Sequence, residues 1–354
     1  MRIVIKVGTQ SILSELGTPR PEVMQSIVNQ IVNIQQQGHK VVFVSSGAVG
    51  FGRGITRQYL GKEYGVTIGE KQLLASLGQH ELMHLYSKMF IEHKFLTSQI
   101  LLTKQDFHTR HHYLNIVRLI REILSHNYII PIINENDSVA IEELMFTDND
   151  ELAGLIAAQV NADKLIILSN IEGVYTGHPD LPGSALIPII DPEKGWPDVS
   201  SEKSTYGRGG MISKLSNAKK MSELGITTHI ASINQPDVIN RIVKGERVGT
   251  IVLPSQKKSS AKKWVAYSSP TGKIFVNEGL YQILRDNKRV VSILPVGVES
   301  CSGEFVKGDV VEILGPNKEE IGIGMVKYDS NRLSGFVRQR NKPILIHYDY
   351  LYII

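Results

Sequence analysis

Five short apolar runs, at residues 3–7, 40–45, 129–133, 164–169 and 226–231, punctuate the first 250 residues of this chain. Stretches of helical periodicity separate them, at 22–37, 69–92, 111–126, 151–162 and 211–224, and Gly38 and Gly225 stand where helix C-caps belong. Strands that alternate with helices are joined by crossovers. The expected fold is therefore an α/β, three-layer α/β/α sandwich around a mainly parallel sheet. In such sheets small ligands bind at the C-terminal ends of the strands.

Near residue 255 the texture changes. Pro254-Ser255-Gln256 and the lysines 257, 258, 262 and 263 read as a basic linker. After it come short β-type runs at 273–276, 290–294, 309–314, 322–328 and 344–348, as expected of a small β-barrel domain. The expected division is 1–255, a linker at 256–271, and 272–354.

The formal charge is +4, and its distribution bears on nucleic acid as a partner. Residues 255–354 hold 15 Lys/Arg against 10 Asp/Glu, and four of those lysines lie in the linker, which reads as solvated chain. A single cysteine, Cys301, excludes an internal disulfide and points to a cytoplasmic setting. No apolar run approaches the roughly 18–20 residues that span a bilayer. The strand-like opening Met1 to Lys6 leaves no room for a signal peptide.

The chemistry gathers where apolar runs end in polar groups. Pro131 to Ile133 runs into Asn134-Glu135-Asn136-Asp137, and Thr147-Asp148-Asn149-Asp150 follows. Asn136, Asp137, Asn149 and Asp150 pair donors with acceptors but include no nucleophile, which suits holding an amino acid by its ammonium and carboxylate. Lys6-Val7-Gly8-Thr9 puts a lysine beside a glycine at a strand end, where phosphate can be met. Ser45-Ser46-Gly47-Ala48 exposes backbone N–H groups at another strand end, as an anion nest or a tight packing turn. Gly207-Arg208-Gly209-Gly210-Met211-Ile212-Ser213-Lys214 opens a helix, and Lys214 in its first turn opposes the macrodipole unless an anion lies nearby. No P-loop spacing occurs, and Gly47, Gly50, Gly52 and Gly54 do not form a dinucleotide fingerprint. His111-His112 lacks the partners of a metal site, and Cys301 those of a nucleophile.

Taken in order, these segments resemble the amino-acid kinase family, in the branch that phosphorylates the side chain of glutamate and carries a C-terminal PUA module. The likeness also rests on Gly78-Gln79 with Leu82-Met83, Leu101-Leu102-Thr103 and Gly173-Val174-Tyr175-Thr176. The resemblance implies ATP as co-substrate with Mg²⁺, L-glutamate as acceptor, and glutamyl 5-phosphate as product, at the first step of proline synthesis. It implies Lys6, Asp148 and Lys214 as catalytic, with Asp148 organising the two lysines. Ser46, Gly47, Asp137 and Asn149 would hold glutamate. Lys6, Ser169, Asn170 and Arg208, Gly209, Gly210, Met211, Ile212, Ser213 and Lys214 would hold the nucleotide, with no dedicated protein metal site. Feedback inhibition by proline and a homo-oligomer are implied as well. The chain departs from the family pattern at Asn170, Arg208, His178-Pro179-Asp180 and the stretch 182–203, all on the nucleotide side.

A carboxylate with an ordinary pKa near 4.3 is already a nucleophile at neutral pH, so the reaction needs no base. It does need cations, since two unit charges 4 Å apart repel by about 4 kcal/mol at an effective dielectric near 20. Two rival readings stand beside this one: the same fold acting on another acid or phosphate acceptor, and an RNA-binding protein with a vestigial kinase domain.

Overall fold

The computed structural model describes residues 1–14, 16–107, 110–139, 148–177, 183–197, 210–255, 265, 268, 270–286 and 291–353. They group into two compact units, 1–104 with 117–257 and 105–116 with 258–354.

The first unit opens with β1 (Arg2–Val7), α1 (Thr9–Ile12), α2 (Pro21–Gln36) and β2 (Lys40–Ser45). Then come α3 (Ala48–Leu60), α4 (Ile68–Glu92) and β3 (Leu96–Leu102), and the part of α5 (Arg110–Ser125) from residue 117 onward, which belongs to this unit, leads to β4 (Ile129–Glu135). The rest comprises α6 (Asn149–Gln159), β5 (Lys164–Ser169), β6 (Ile189–Ile190), α7 (Met211–Glu223), β7 (Thr227–Ser232), α8 (Val238–Val243) and β8 (Thr250–Val252). The strand order is β3-β4-β2-β1-β5-β7-β8-β6, and every pairing is parallel except β7 with β8. Strand β1 is the pivot: β2 lies on one side and β5 on the other, which opens a crevice at their C-terminal ends.

Alternation along β1 decides which side chain goes where. Ile3, Ile5 and Val7 join the core with Ile27, Ile31, Leu82, Phe90 and Ile239 from α2, α4 and α8. Lys6 is therefore turned to the opposite face, where α6 packs on β1 and β5. Helices α3 and α4 meet backbone to backbone. A Cβ on Gly78 would collide with the Ala48 carbonyl, and one on Gly52 with that of Leu74. That crossing fixes the start of α3, and with it the turn at Ser46 and Gly47.

The second unit holds β9 (Gly272–Val276), α9 (Glu278–Asp286), β10 (Val298–Ser302), β11 (Val310–Leu314), β12 (Glu320–Val326), α10 (Ser330–Ser334) and β13 (Ile346–Ile353). Its five-stranded sheet has the order β10-β9-β11-β12-β13 around a core that includes Ile274, Val298, Phe305, Ile313 and Ile346. The strand expected at 290–294 is, within the described residues, a lone bridge from Ile293 to Ile346, because Pro295 at once turns the chain into a short 3₁₀ segment. Helix α9 and strand β10 were not foreseen.

Candidate active site

Helix α6 begins with Asp148 as its N-cap. Asp148 Oδ1 accepts from the backbone N–H groups of Asp150 at 2.9 Å and Glu151 at 3.0 Å. Its Oδ2 accepts from Ser213 Oγ, at the start of α7. Both oxygens of Asp148 are thus committed to joining two helix N-termini. Burial pushes its carboxyl up, reinforced by the negative charge of Asp150, against opposing hydrogen bonds.

Two residues on, Asp150 is fully buried and lies between the lysines. Its Oδ1 stands 2.6 Å from Lys6 Nζ and its Oδ2 2.8 Å from Lys214 Nζ. Burial alone would raise its pKa, but the two ammoniums outweigh that and hold it below the usual carboxylate range. Lys6 and Lys214 are themselves only 6% and 7% exposed. This corrects the resemblance-based assignment: the carboxylate that bridges the lysines is Asp150, not Asp148. The reason is helical. An N-cap side chain folds back onto its own helix, whereas a residue two positions later projects from a different side. Asp150 is also the anion that Lys214 requires at the N-terminal end of α7. Helix α7 is held against α6 by Asn217 Nδ2, which donates to the Asp150 carbonyl. Gly154 leaves room for that asparagine, since a Cβ there would strike its amide.

Beside the charged group runs a row of polar side chains. Asn149 Nδ2 donates to Ser46 Oγ at 2.7 Å and to Asn134 Oδ1 at 3.1 Å. Asn134 Nδ2 in turn donates to Gln79 Oε1 at 2.8 Å. Asn134 is the penultimate residue of β4, Ser46 follows β2, and Gln79 comes from α4. Asn149 Oδ1 is buried and has no partner among the described residues. Gly47, with φ +121°, is the N-cap of α3 and turns the chain so that the helix begins directly after Ser46. Asn134 and Gln79 both lie in segments that carry the family resemblance, which gives neither a role of its own. Their signal was position, a polar residue at the end of an apolar strand and one beside a helix-crossing glycine.

The structure thus brings Lys6, Asp148 and Lys214 together with Asp150, and Ser46 with Asn149. Asp137 occupies the turn after β4, anchored by Asn136 N to Leu102 O and Val139 N to Asn136 O. Of the residues that the resemblance assigns to the nucleotide, Ser169 ends β5. Asn170 is held by α1, its Oδ1 accepting from Ser11 Oγ and its Nδ2 donating to Gln10 O, each at 3.3 Å. Gly210 caps α7 and Met211, Ile212 and Ser213 form its first turn, while Arg208, Gly209 and His178-Pro179-Asp180 lie outside the described residues. Among the described residues no three His, Cys, Asp or Glu side chains converge as a metal site.

Residues 1–232 match the amino acid kinase family and residues 272–344 the PUA domain. The chain is 40% identical to glutamate 5-kinase of Chlorobaculum tepidum, over 100% of this chain and 97% of that protein. It is 38% identical to glutamate 5-kinase of Bacteroides thetaiotaomicron, over 99% and 98% respectively. With glutamate 5-kinase of Dictyoglomus thermophilum it shares 40% identity, over 94% of this chain and 89% of that protein.

Proposed function

The chain belongs to the amino acid kinase family, and we propose that it transfers the terminal phosphoryl group of ATP to the side-chain carboxylate of glutamate. The products are glutamyl 5-phosphate and ADP, and the step serves proline biosynthesis. The observation that carries this reading is the pair of buried ammoniums clamped by Asp150 beside a row of uncharged amides and hydroxyl.

The two ammoniums stand where an anion has to approach a polyanion. Asp150 holds them in place before substrate arrives, so little reorganisation is needed as charge develops on the transferring group. Glutamate brings its own nucleophile, and no general base is required. Its backbone carboxylate is suited to the Ser46 hydroxyl and the free N–H groups that open α3. Asp137 and Asn149 are suited to the ammonium end. Ser169, Asn170 and residues 210–214 are suited to the nucleotide. Magnesium would come with the ATP and help neutralise the charge of its phosphates, while the carboxylates of Asp148 and Asp150 are engaged by the α6 backbone, Ser213 and the two lysines.

Proline offers the same carboxylate and ammonium without a side-chain acid, which supports competition with glutamate at this place. Association with a second copy is supported by large apolar side chains exposed between residues 59 and 96, among them Tyr59, Val66, Ile68, Leu73, Leu77 and Ile91. No helix among the described residues is long and apolar enough to cross a membrane. A second reading, RNA binding by the PUA domain, draws on residues 327–342, where Lys327, Arg332, Arg338, Arg340 and Lys342 face one acid, Asp329. Steep salt dependence of binding to structured RNA would support it.

The test is hydroxamate formation from ATP, hydroxylamine and a panel of acids. Glutamate should give glutamyl hydroxamate, and proline should raise the apparent KM for glutamate. Activity with aspartate or N-acetylglutamate and none with glutamate would reject the reading.

A further inference from the structure

Gln79 has no part in the chemistry above, yet it is 8% exposed and anchors one end of the amide row. An amide side chain has a donor end and an acceptor end, so one group of fixed polarity orients its neighbours in turn. Here the fixed group is the backbone N–H of Glu135, which can only donate and bonds Asn134 Oδ1 at 2.9 Å. Asn134 must therefore turn its NH₂ toward Gln79, and Gln79 Oε1 receives it. Asn149 then meets an oxygen on Asn134 and has to donate to it. The second N–H of Asn149 goes to Ser46 Oγ. Its own Oδ1 is left facing away, buried and without a partner among the described residues.

We propose that Gln79 is a positioning residue: it holds the Asn134–Asn149 row in the one orientation that presents Asn149 Oδ1 to the α-ammonium of the substrate. This rests on the glutamate reading. At neutral pH both carboxylates of glutamate only accept hydrogen bonds, and its ammonium alone donates. A buried lone acceptor is unfavourable until a donor arrives, so the row selects a ligand with an amine at that point. With the row reversed, Asn149 would aim N–H groups at the ammonium and repel it. Without an acceptor at position 79, the Asn134 NH₂ loses its partner and that orientation loses its support.

The experiment compares wild type, Gln79→Met, which has the length but not the acceptor, and Gln79→Glu, which keeps an acceptor. The measurements are KM for glutamate and for ATP, kcat, and the inhibition constant of glutarate, which is glutamate without the amine. For Gln79→Met, glutamate KM should rise about tenfold to a hundredfold, the scale of a lost charged hydrogen bond, while kcat, ATP KM and glutarate inhibition stay within about threefold. Gln79→Glu should keep glutamate KM within about threefold of wild type, since its carboxylate still accepts from Asn134. Wild type should bind glutarate at least about tenfold more weakly than glutamate, and equal binding overturns the proposal whatever the variants do. So does equal weakening of glutamate and glutarate in Gln79→Met, an unchanged glutamate KM, or a Gln79→Glu variant as impaired as Gln79→Met. A wild-type protein inert toward glutamate would reject the substrate reading instead.

Discussion

Asp150→Asn is the substitution that separates the two aspartates of the α6 N-terminus. Asp150 is fully buried and lies 2.6 and 2.8 Å from two nearly buried ammoniums. At that separation each pair attracts by about 6 kcal/mol at an effective dielectric near 20, most of it offset by desolvation of the three charges. Removing only the carboxylate charge leaves two cations in the interior with one amide oxygen between them. The expected loss is about 3–5 kcal/mol of stability, the cost of breaking a buried pair from one side. Turnover should fall by roughly a hundredfold or more, because the lysines no longer stand where the phosphoryl group passes. Asp148→Asn keeps a good N-cap and should cost less than about 1.5 kcal/mol. Urea unfolding followed by circular dichroism, at pH 7 and low salt, measures both. Burial raises the Asp150 pKa but the ammoniums outweigh it, so its contribution is complete above a pH of about 4 and is lost as acid protonates it. Asp150→Asn should lack that acid-side loss. If Asp150→Asn proved milder than Asp148→Asn, or left turnover intact, the clamp argument would be wrong.

Lys214→Ala should keep the fold, since Lys6 still pairs with Asp150, and lower kcat by roughly a hundredfold in the hydroxamate assay. Gly78→Ala should cost about 1–3 kcal/mol and raise glutamate KM, because its methyl group strikes the Ala48 carbonyl at the turn that carries Ser46. His229, 2% exposed on β7, is pushed down to about 3 by burial and by Lys164, so the folded protein keeps it neutral while the unfolded chain protonates it near its ordinary value of 6.5. Stability should therefore fall with acidification through that window, by about 2 kcal/mol between pH 7 and 5, and His229→Gln should flatten the slope.

Much of this site was legible because the residues that carry charge sit at strand and helix ends, where apolar runs stop abruptly. Lys6 at the end of β1 and Lys214 in the first turn of α7 were both marked that way. The Asp148/Asp150 exchange was not, because a D-N-D run offers two equivalent carboxylates until the N-cap is placed. The apolar helix that starts at Leu152 was the available clue. Helix α3 was hidden by Gly50, Gly52 and Gly54, poor helix formers that are tolerated where neighbours lie too close for a side chain: Leu13 against Gly50, Leu74 of α4 against Gly52 and the Gly17 carbonyl against Gly54. Strand β3 escaped notice because Thr97, Ser98 and Gln99 interrupt its apolar pattern, as befits an edge strand with one neighbour. Position marked Asn134 and Gln79 singly, but their connection into one row with Asn149 could not be read from sequence, since the three side chains come together only in the fold.

The central claim is that an unassisted carboxylate oxygen attacks phosphorus between Lys6 and Lys214. The direct measurement uses glutamate labelled with ¹⁸O in its side-chain carboxylate, with ATP and hydroxylamine. Hydroxylamine attacks the carbonyl carbon of the acyl phosphate, so the released phosphate should carry one ¹⁸O, seen as an isotope shift in its ³¹P resonance. Phosphate released without label would mean that water, not glutamate, attacks ATP, and the account would fail.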